Sequence, residues 1–198
     1  KEYNGYKAYW DDGGQIISPH DKNIIEEVNN INDIDEVNFN GNPELIQILN
    51  DDFDKIYIEN IKSLSLSPEI IEKQNDLNIV FTPIHGTGVK LVPEVLKEFG
   101  FKNVHTVEEQ SEKFGNGYFP TVKSPNPEES AALHLAIEKA KNIGGELVMA
   151  TDPDSDRVGI AVKNGDDFIL LNGNQAATLL INYLLTKWNE NGKLKGKE

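Results

Sequence analysis

Directly after the apolar run Leu147 to Ala150, the chain reads Thr151-Asp152-Pro153-Asp154-Ser155-Asp156-Arg157. Carboxylates at i, i+2 and i+4 repel one another unless something positive sits among them. In a curling loop that spacing aims three oxygens at one point, and hard oxygen ligands suit Mg²⁺ or Ca²⁺. The string is not an EF-hand, which needs Gly at its sixth position and Glu at its twelfth; Arg157 and Lys163 stand there. A cage with so few protein oxygens leaves ligand positions open for water or a phosphate oxygen. Arg157 beside it adds a fixed cation that can fork onto the same phosphate. The loop follows a strand-like run, and in open α/β sheets ligands bind beyond the carboxyl ends of strands. The same residues also read as a solvated acidic turn, since Asp-Pro-Asp is an ordinary turn former.

Two further segments carry weaker signals. Thr82-Pro83-Ile84-His85-Gly86-Thr87-Gly88 sits between a strand-like and a helix-like run. Amides at such a turn favour anions, but the spacing matches neither a P-loop nor a dinucleotide fingerprint. Taken alone, a tight turn that uses Gly for backbone freedom is the better explanation. His85 has no Ser or Asp close in sequence to act with. Asn4-Gly5-Tyr6-Lys7 reads alone as a turn followed by a surface Lys, and Glu108-Glu109 and Glu128-Glu129 as solvated charges.

The elements that must position these residues follow from periodicity. Near the N-terminus, aromatic Tyr6, Tyr9 and Trp10 run into Asp11-Asp12-Gly13-Gly14 and then Gln15-Ile16-Ile17, a hairpin signal. Ile24, Ile25, Val28 and Ile31 repeat at helical spacing behind Pro19 and Asp21. Residues 32–42 are polar and turn-rich. The middle stretch alternates strand and helix. Ile79 to Ile84 is a strand, and Leu91, Val92, Val95, Leu96 and Phe99 mark a helix that Gly100 stops. Val104 to Val107 is a second strand. Asn126-Pro127-Glu128-Glu129 supplies an N-cap, a first-turn Pro and a capping-box Glu for a helix ending before Gly144. Leu147 to Ala150 and Val158 to Val162 are further strands. Last come a short strand, Phe168 to Leu171, and a helix, Asn174 to Trp188, apolar on nearly every side. Such a helix wants burial all round, which leaves it to pack back on the preceding residues or to support weak self-association. The alternation argues for an α/β fold, a three-layer α/β/α arrangement around a mixed, mostly parallel sheet, flanked by pieces of neighbouring domains.

Composition bounds the partners. The 198 residues carry 19 basic and 33 acidic side chains, a net charge of −14, with no basic cluster. Nucleic acid and anionic membrane reward clustered Lys and Arg and are therefore excluded as partners. Apolar residues make up 38% and the mean hydropathy is −0.47, a globular rather than disordered composition. Cysteine is absent, which removes disulfides, thiolate zinc sites and thiol catalysis and agrees with a cytoplasmic setting. The residues Lys1 to Trp10 lack a signal-peptide pattern, and Ala176 to Leu185 is too short to span a bilayer.

Taken together, these segments resemble the α-D-phosphohexomutase superfamily, in its phosphoglucomutase/phosphomannomutase branch. Asp152-Pro153-Asp154-Ser155-Asp156-Arg157 is similar to the family's D-G-D-x-D-R magnesium loop, with Pro153 where Gly is usual. Tyr3-Asn4-Gly5-Tyr6-Lys7 is similar to the segment after the phosphoserine loop. Thr82 to Gly88 and Lys123-Ser124-Pro125-Asn126-Pro127-Glu128-Glu129 resemble second-domain landmarks, and Leu171-Asn172-Gly173-Asn174-Gln175 the entry to the third domain. The resemblance covers essentially the whole chain. It implies that residues 1–42 are the end of domain one and a linker, 43–166 domain two, and 167–198 the start of domain three. It further implies a Mg²⁺ cofactor on Asp152, Asp154 and Asp156, catalytic roles for Lys7 and Arg157, and a phosphosugar substrate. The reaction would interconvert hexose 1-phosphate and hexose 6-phosphate through a phosphoserine and a bisphosphate. The family's serine loop would end immediately before Lys1, and its sugar- and phosphate-recognition loops do not occur after Gln175; the chain by itself is therefore expected to be inactive. The alternative is a non-catalytic α/β binding module with an acidic metal-binding turn.

Overall fold

The apolar runs of the middle stretch become the strands of one sheet. The structure, a computed structural model, describes residues 7–113 and 115–196. The chain divides into two compact units, Lys1–Ile48 and Leu49–Glu198.

In the first unit, Tyr9 bridges Gln15 in antiparallel fashion, and the Ile16 amide donates to the Ala8 carbonyl at 3.0 Å, closing the expected turn. Helix α1 is His20–Asn30, with Pro19 at its start. None of residues 7–48 is buried, as expected of a hairpin, one helix and a linker. Of the segment Tyr3 to Lys7, residues 3–6 lie outside the described residues.

The second unit opens with α2 (Asp51–Ser63), capped by Asn50, and α3 (Pro68–Lys73). Strand β1 (Asn78–Thr82) leads through a turn to α4 (Leu91–Phe99) and β2 (Asn103–Thr106). Gly100 ends α4 at φ 114°, a backbone region that other residues rarely adopt. A long irregular segment reaches α5 (His134–Ile143), then β3 (Leu147–Thr151), β4 (Val158–Asn164) and β5 (Asp167–Leu171), and α6 (Gly173–Glu190) closes the unit. The strand order is β2-β1-β3-β4-β5. β1 pairs in parallel with both β2 and β3, while β3–β4 and β4–β5 are antiparallel. The sheet is thus mixed, with β4 alone running against the other strands.

Side-chain alternation sorts the two faces. Val80, Val148, Ala150 and Ala161 pack against Leu133, Ala136 and Ala140 at α5, all fully buried. Met149 faces the other way, into an apolar cleft shared with Tyr57 and Ile61 of α2 and with α4. Helices therefore cover both faces, giving the α/β/α layering.

One element starts later than its sequence signals suggest. The Asn126-Pro127-Glu128-Glu129 string does not open a helix: residues 127–133 form successive turns, and α5 begins at His134. Asn126 does cap, but it caps a turn, its Oδ1 accepting from the Glu128 amide at 3.1 Å. Pro127 is fully buried, and its carbonyl sits where a Cβ on Gly159 of β4 would lie, so this corner is fixed by the sheet rather than by helix propensity. At the other end of the unit, the Asn172 and Gln175 side chains form a reciprocal capping box on α6. Leu179, Leu180 and Ile181 of that helix are each more than half exposed. No helix among the described residues is long and apolar enough to cross a membrane.

Burial separates two leucines cleanly: Leu133 is 0% exposed and Leu180 52%. Leu133→Ala is expected to cost about 2–5 kcal/mol in urea unfolding, and Leu180→Ala less than about 0.5 kcal/mol. Equal losses would contradict this packing.

Candidate metal centre

The acidic string occupies residues 152–157, the connection between antiparallel β3 and β4. The Thr151–Val158 pair closes its base. A hairpin base brings the two chain ends close together, so the loop has to curl, and curling converts the i, i+2, i+4 spacing into convergence. Within the loop, the Ser155 amide donates to the Asp152 carbonyl at 3.0 Å. Pro153 therefore sits at the second position of a four-residue turn, where its fixed φ is favoured. Ser155 adopts φ 62°. The Arg157 amide donates to Asp152 Oδ1 at 3.0 Å, tying the far side of the loop to its first carboxylate.

Asp152, Asp154 and Asp156 each present a carboxylate oxygen, all within 4.8 Å of one another. Asp152 is buried at 6% exposure, whereas Asp154 and Asp156 face solvent. Burial pushes the Asp152 carboxyl above its ordinary range. The Arg157 amide pulls the other way, and Asp154 and Asp156 reinforce the rise. The Arg157 guanidinium lies 3.9 Å from Asp152 Oδ2 and 3.8 Å from Asp156 Oδ1 and stays largely exposed. Such loose, solvated pairs hold little energy, so the side chain is available to an incoming anion. At the loop's base, Thr151 Oγ1 is buried without a hydrogen-bond partner among the described residues. An all-carboxylate donor set, one member already disfavoured as an anion, fits a hard divalent cation.

A second segment flanks the loop. Because β1 and β3 pair in parallel, with Thr82 opposite Ala150, the turn after β1 and the loop after β3 leave the same end of the sheet. Thr87 donates twice to the Pro153 carbonyl, from its amide at 2.9 Å and its hydroxyl at 3.0 Å. A Cβ on Gly86 would collide with Pro153, lying 2.7 Å from its carbonyl oxygen and 2.8 Å from the Pro83 carbonyl oxygen. Close backbone approach is why glycine is needed there. Ile84 and His85 take φ 45° and 61°, a left-handed conformation costing on the order of 1–3 kcal/mol each.

The loop thus brings together four of the five residues singled out from the sequence, Asp152, Asp154, Asp156 and Arg157. Lys7 belongs to the first unit, where it is exposed. What the sequence reading missed is the Gly86–Thr87 grip on Pro153, which joins positions 66 residues apart. The parallel pairing of the two preceding strands was the signal that could have found it.

Known proteins bear on the same residues. Residues 55–165 match the family model described as phosphoglucomutase/phosphomannomutase, alpha/beta/alpha domain II. The chain is 39% identical over 193 residues to a phosphoglucomutase of Staphylococcus haemolyticus, covering 96% of this chain and 34% of that one. It is 34% identical over 185 residues to a phosphomannomutase of Mycoplasmoides pirum, covering 93% and 34%. It therefore spans about a third of the length of these curated relatives. Among solved structures, a phosphoglucomutase/phosphomannomutase family protein from Burkholderia thailandensis shares the fold at TM-score 0.53 and 23% identity, over 68% of this chain and 26% of that one.

The raised carboxyl has a consequence for the metal-free chain. A carboxyl whose pKa is higher folded than unfolded favours the fold below its ordinary value of 3.8, and that contribution is lost as pH rises through the folded value. Asp152→Asn keeps the acceptor for the Arg157 amide and removes the charge. In EDTA at pH 7 it is expected to melt at a higher temperature than the parent, with the gap narrowing as pH falls. A lower melting temperature at pH 7 would contradict the electrostatic reading. The model match over residues 55–165 and the close relatives across nearly the whole chain place this protein in the phosphoglucomutase/phosphomannomutase family.

Proposed function

We propose that this chain is the metal-carrying portion of a cytoplasmic phosphohexomutase, which interconverts hexose 1-phosphate and hexose 6-phosphate through a phosphoserine and a bisphosphate. The observation that carries this reading is the convergence of three carboxylate oxygens within 4.8 Å at the carboxyl end of β3, with Arg157 alongside. Asp152, Asp154 and Asp156 would hold Mg²⁺. The chemistry that ion supplies when bound is charge neutralisation at phosphoryl oxygens, which phosphoryl transfer needs more than covalent help.

The chain's own residues supply the rest. Arg157, exposed and loosely paired, swings onto phosphoryl oxygens and fixes their orientation through its planar fork. Lys7, on the segment that resembles the one after the phosphoserine loop, assists proton transfer there. The buried Asp152 anchors the loop to the sheet, while exposed Asp154 and Asp156 meet the solvent side. A net charge of −14 repels anionic phosphosugars, and the loop itself, with three carboxylates and one guanidinium, would stop adding to that repulsion once a divalent cation neutralised it. The 198 residues contain neither the serine loop nor the sugar-recognition loop that the family resemblance implies, and this stretch alone is expected not to turn substrate over.

Calorimetric titration of the 198-residue chain with Mg²⁺ tests the reading, alongside an assay for glucose 1-phosphate consumption. Expected are weak binding, on the order of millimolar because water must complete the shell, and loss of that binding in Asp154→Asn/Asp156→Asn. Turnover stays at the blank. Unchanged Mg²⁺ binding in the double variant, or turnover well above blank, would contradict the proposal.

A further inference from the structure

His85 is 2% exposed, yet both of its ring nitrogens are engaged. Nδ1 lies 2.8 Å from Glu112 Oε2 and Nε2 lies 2.8 Å from Thr121 Oγ1. The directions of these bonds follow from their neighbours. Gln110 Nε2 donates to Thr121 Oγ1 at 2.9 Å, and an ionised Glu112 carboxylate can only accept. The ring then carries its proton on Nδ1 and donates to Glu112. Glu112 is a ready acceptor: burial works to raise its carboxyl, but the His85 bond, its own amide and Asn116 outweigh that and hold it below the ordinary range. At the other end, Thr82 Oγ1 donates to Gln110 Oε1 at 2.6 Å and accepts from the Ile84 amide at 3.1 Å. Each polar side chain in this cluster has a hydrogen-bond partner.

The main chain of His85 is pinned as firmly. Its amide donates to the Gln110 carbonyl at 2.9 Å and its carbonyl accepts from Asn116 at 2.8 Å. This fixes the residue in its left-handed conformation, and the turn it creates delivers Gly86 and Thr87 to Pro153. The loop needs such a hold from outside its own hairpin, because its three carboxylates repel one another. Groups that orient a metal site from behind its ligands commonly matter to affinity nearly as much as the ligands do.

We propose that His85 is a positioning residue for the cation-binding loop: the hydrogen bonds of its buried ring to the partly exposed Glu112 and the exposed Thr121 hold the turn from which Thr87 grips the Pro153 carbonyl. This rests on reading residues 152–157 as a divalent-cation site. His85 touches neither the cation nor substrate, so its effect passes through Thr87 and Pro153.

The test measures Mn²⁺ affinity by water-proton relaxation, and metal-free hydrogen exchange at the Ser155 and Arg157 amides, in the 198-residue chain and four variants. His85→Phe keeps a ring and loses both bonds. His85→Asn keeps a donor and tolerates the left-handed backbone. Thr87→Val removes one of the two bonds to Pro153. Val148→Ala weakens the core on the α5 face, away from the turn. His85→Phe is expected to lower Mn²⁺ affinity about tenfold and speed loop exchange, and His85→Asn to recover most of both. Thr87→Val lowers affinity about threefold, in line with one lost neutral hydrogen bond. Val148→Ala lowers the melting temperature and leaves affinity unchanged.

Parental Mn²⁺ affinity in His85→Phe, or in Thr87→Val should the former not fold, overturns the proposal. So does an equal loss of affinity in Val148→Ala. If the parent chain itself binds no Mn²⁺ at the loop, the cation reading fails separately. The exchange data then decide the positioning claim alone: faster exchange in His85→Phe than in Val148→Ala upholds it, and equal exchange overturns it.

Discussion

Three carboxylates held within 4.8 Å of one another repel, and the rest of the structure is arranged around holding them there. A free chain would relieve the repulsion by uncurling. Here the Thr151–Val158 pair pinches the loop at its base, the Ser155 amide closes the turn on Asp152, and the Arg157 amide returns to the Asp152 carboxylate. None of these bonds neutralises charge. They fix geometry and leave in place an electrostatic conflict that a divalent cation would relieve.

The sheet topology makes this possible. Antiparallel β3–β4 pairing creates the hairpin, and parallel β1–β3 pairing sets a second turn beside it. A purely parallel sheet would send the chain from β3 into a crossover helix rather than straight back. Apolar packing on the α5 face, with Ala150 and Ala161 fully buried, gives both turns a rigid base. A site on a rigid base can hold closely spaced charge that a flexible loop could not.

Much of this was legible in the residues. The strands around Val80, Met149 and Ile160 announced themselves as short apolar runs, α4 by its periodicity and its stop at Gly100, and the loop by its carboxylate spacing. Pro153, in place of the family's usual Gly, fits the second position of its turn. Other features were hidden for definable reasons. The capping signals at Asn126 were genuine but served a turn, because the buried Pro127 against Gly159 outweighs local helix preference. Helices α2 and α3 were overlooked although Asn50 and Ser67-Pro68 mark their starts. His85 looked partnerless because its partners, Glu112 and Thr121, lie 27 and 36 residues away. Hydrogen bonds between distant segments leave no periodic trace in a sequence.

The central claim is that residues 151–158 form a preorganised cation site rather than a solvated acidic turn. Backbone amide NMR of the chain with substoichiometric Mn²⁺ tests this most directly, because paramagnetic broadening maps the ion residue by residue. Early broadening is expected to centre on Thr151 to Val158 and to reach Gly86 to Gly88 in the turn that grips the loop. Broadening scattered over the acidic surface, with the loop amides no more affected than those of α2, would contradict it.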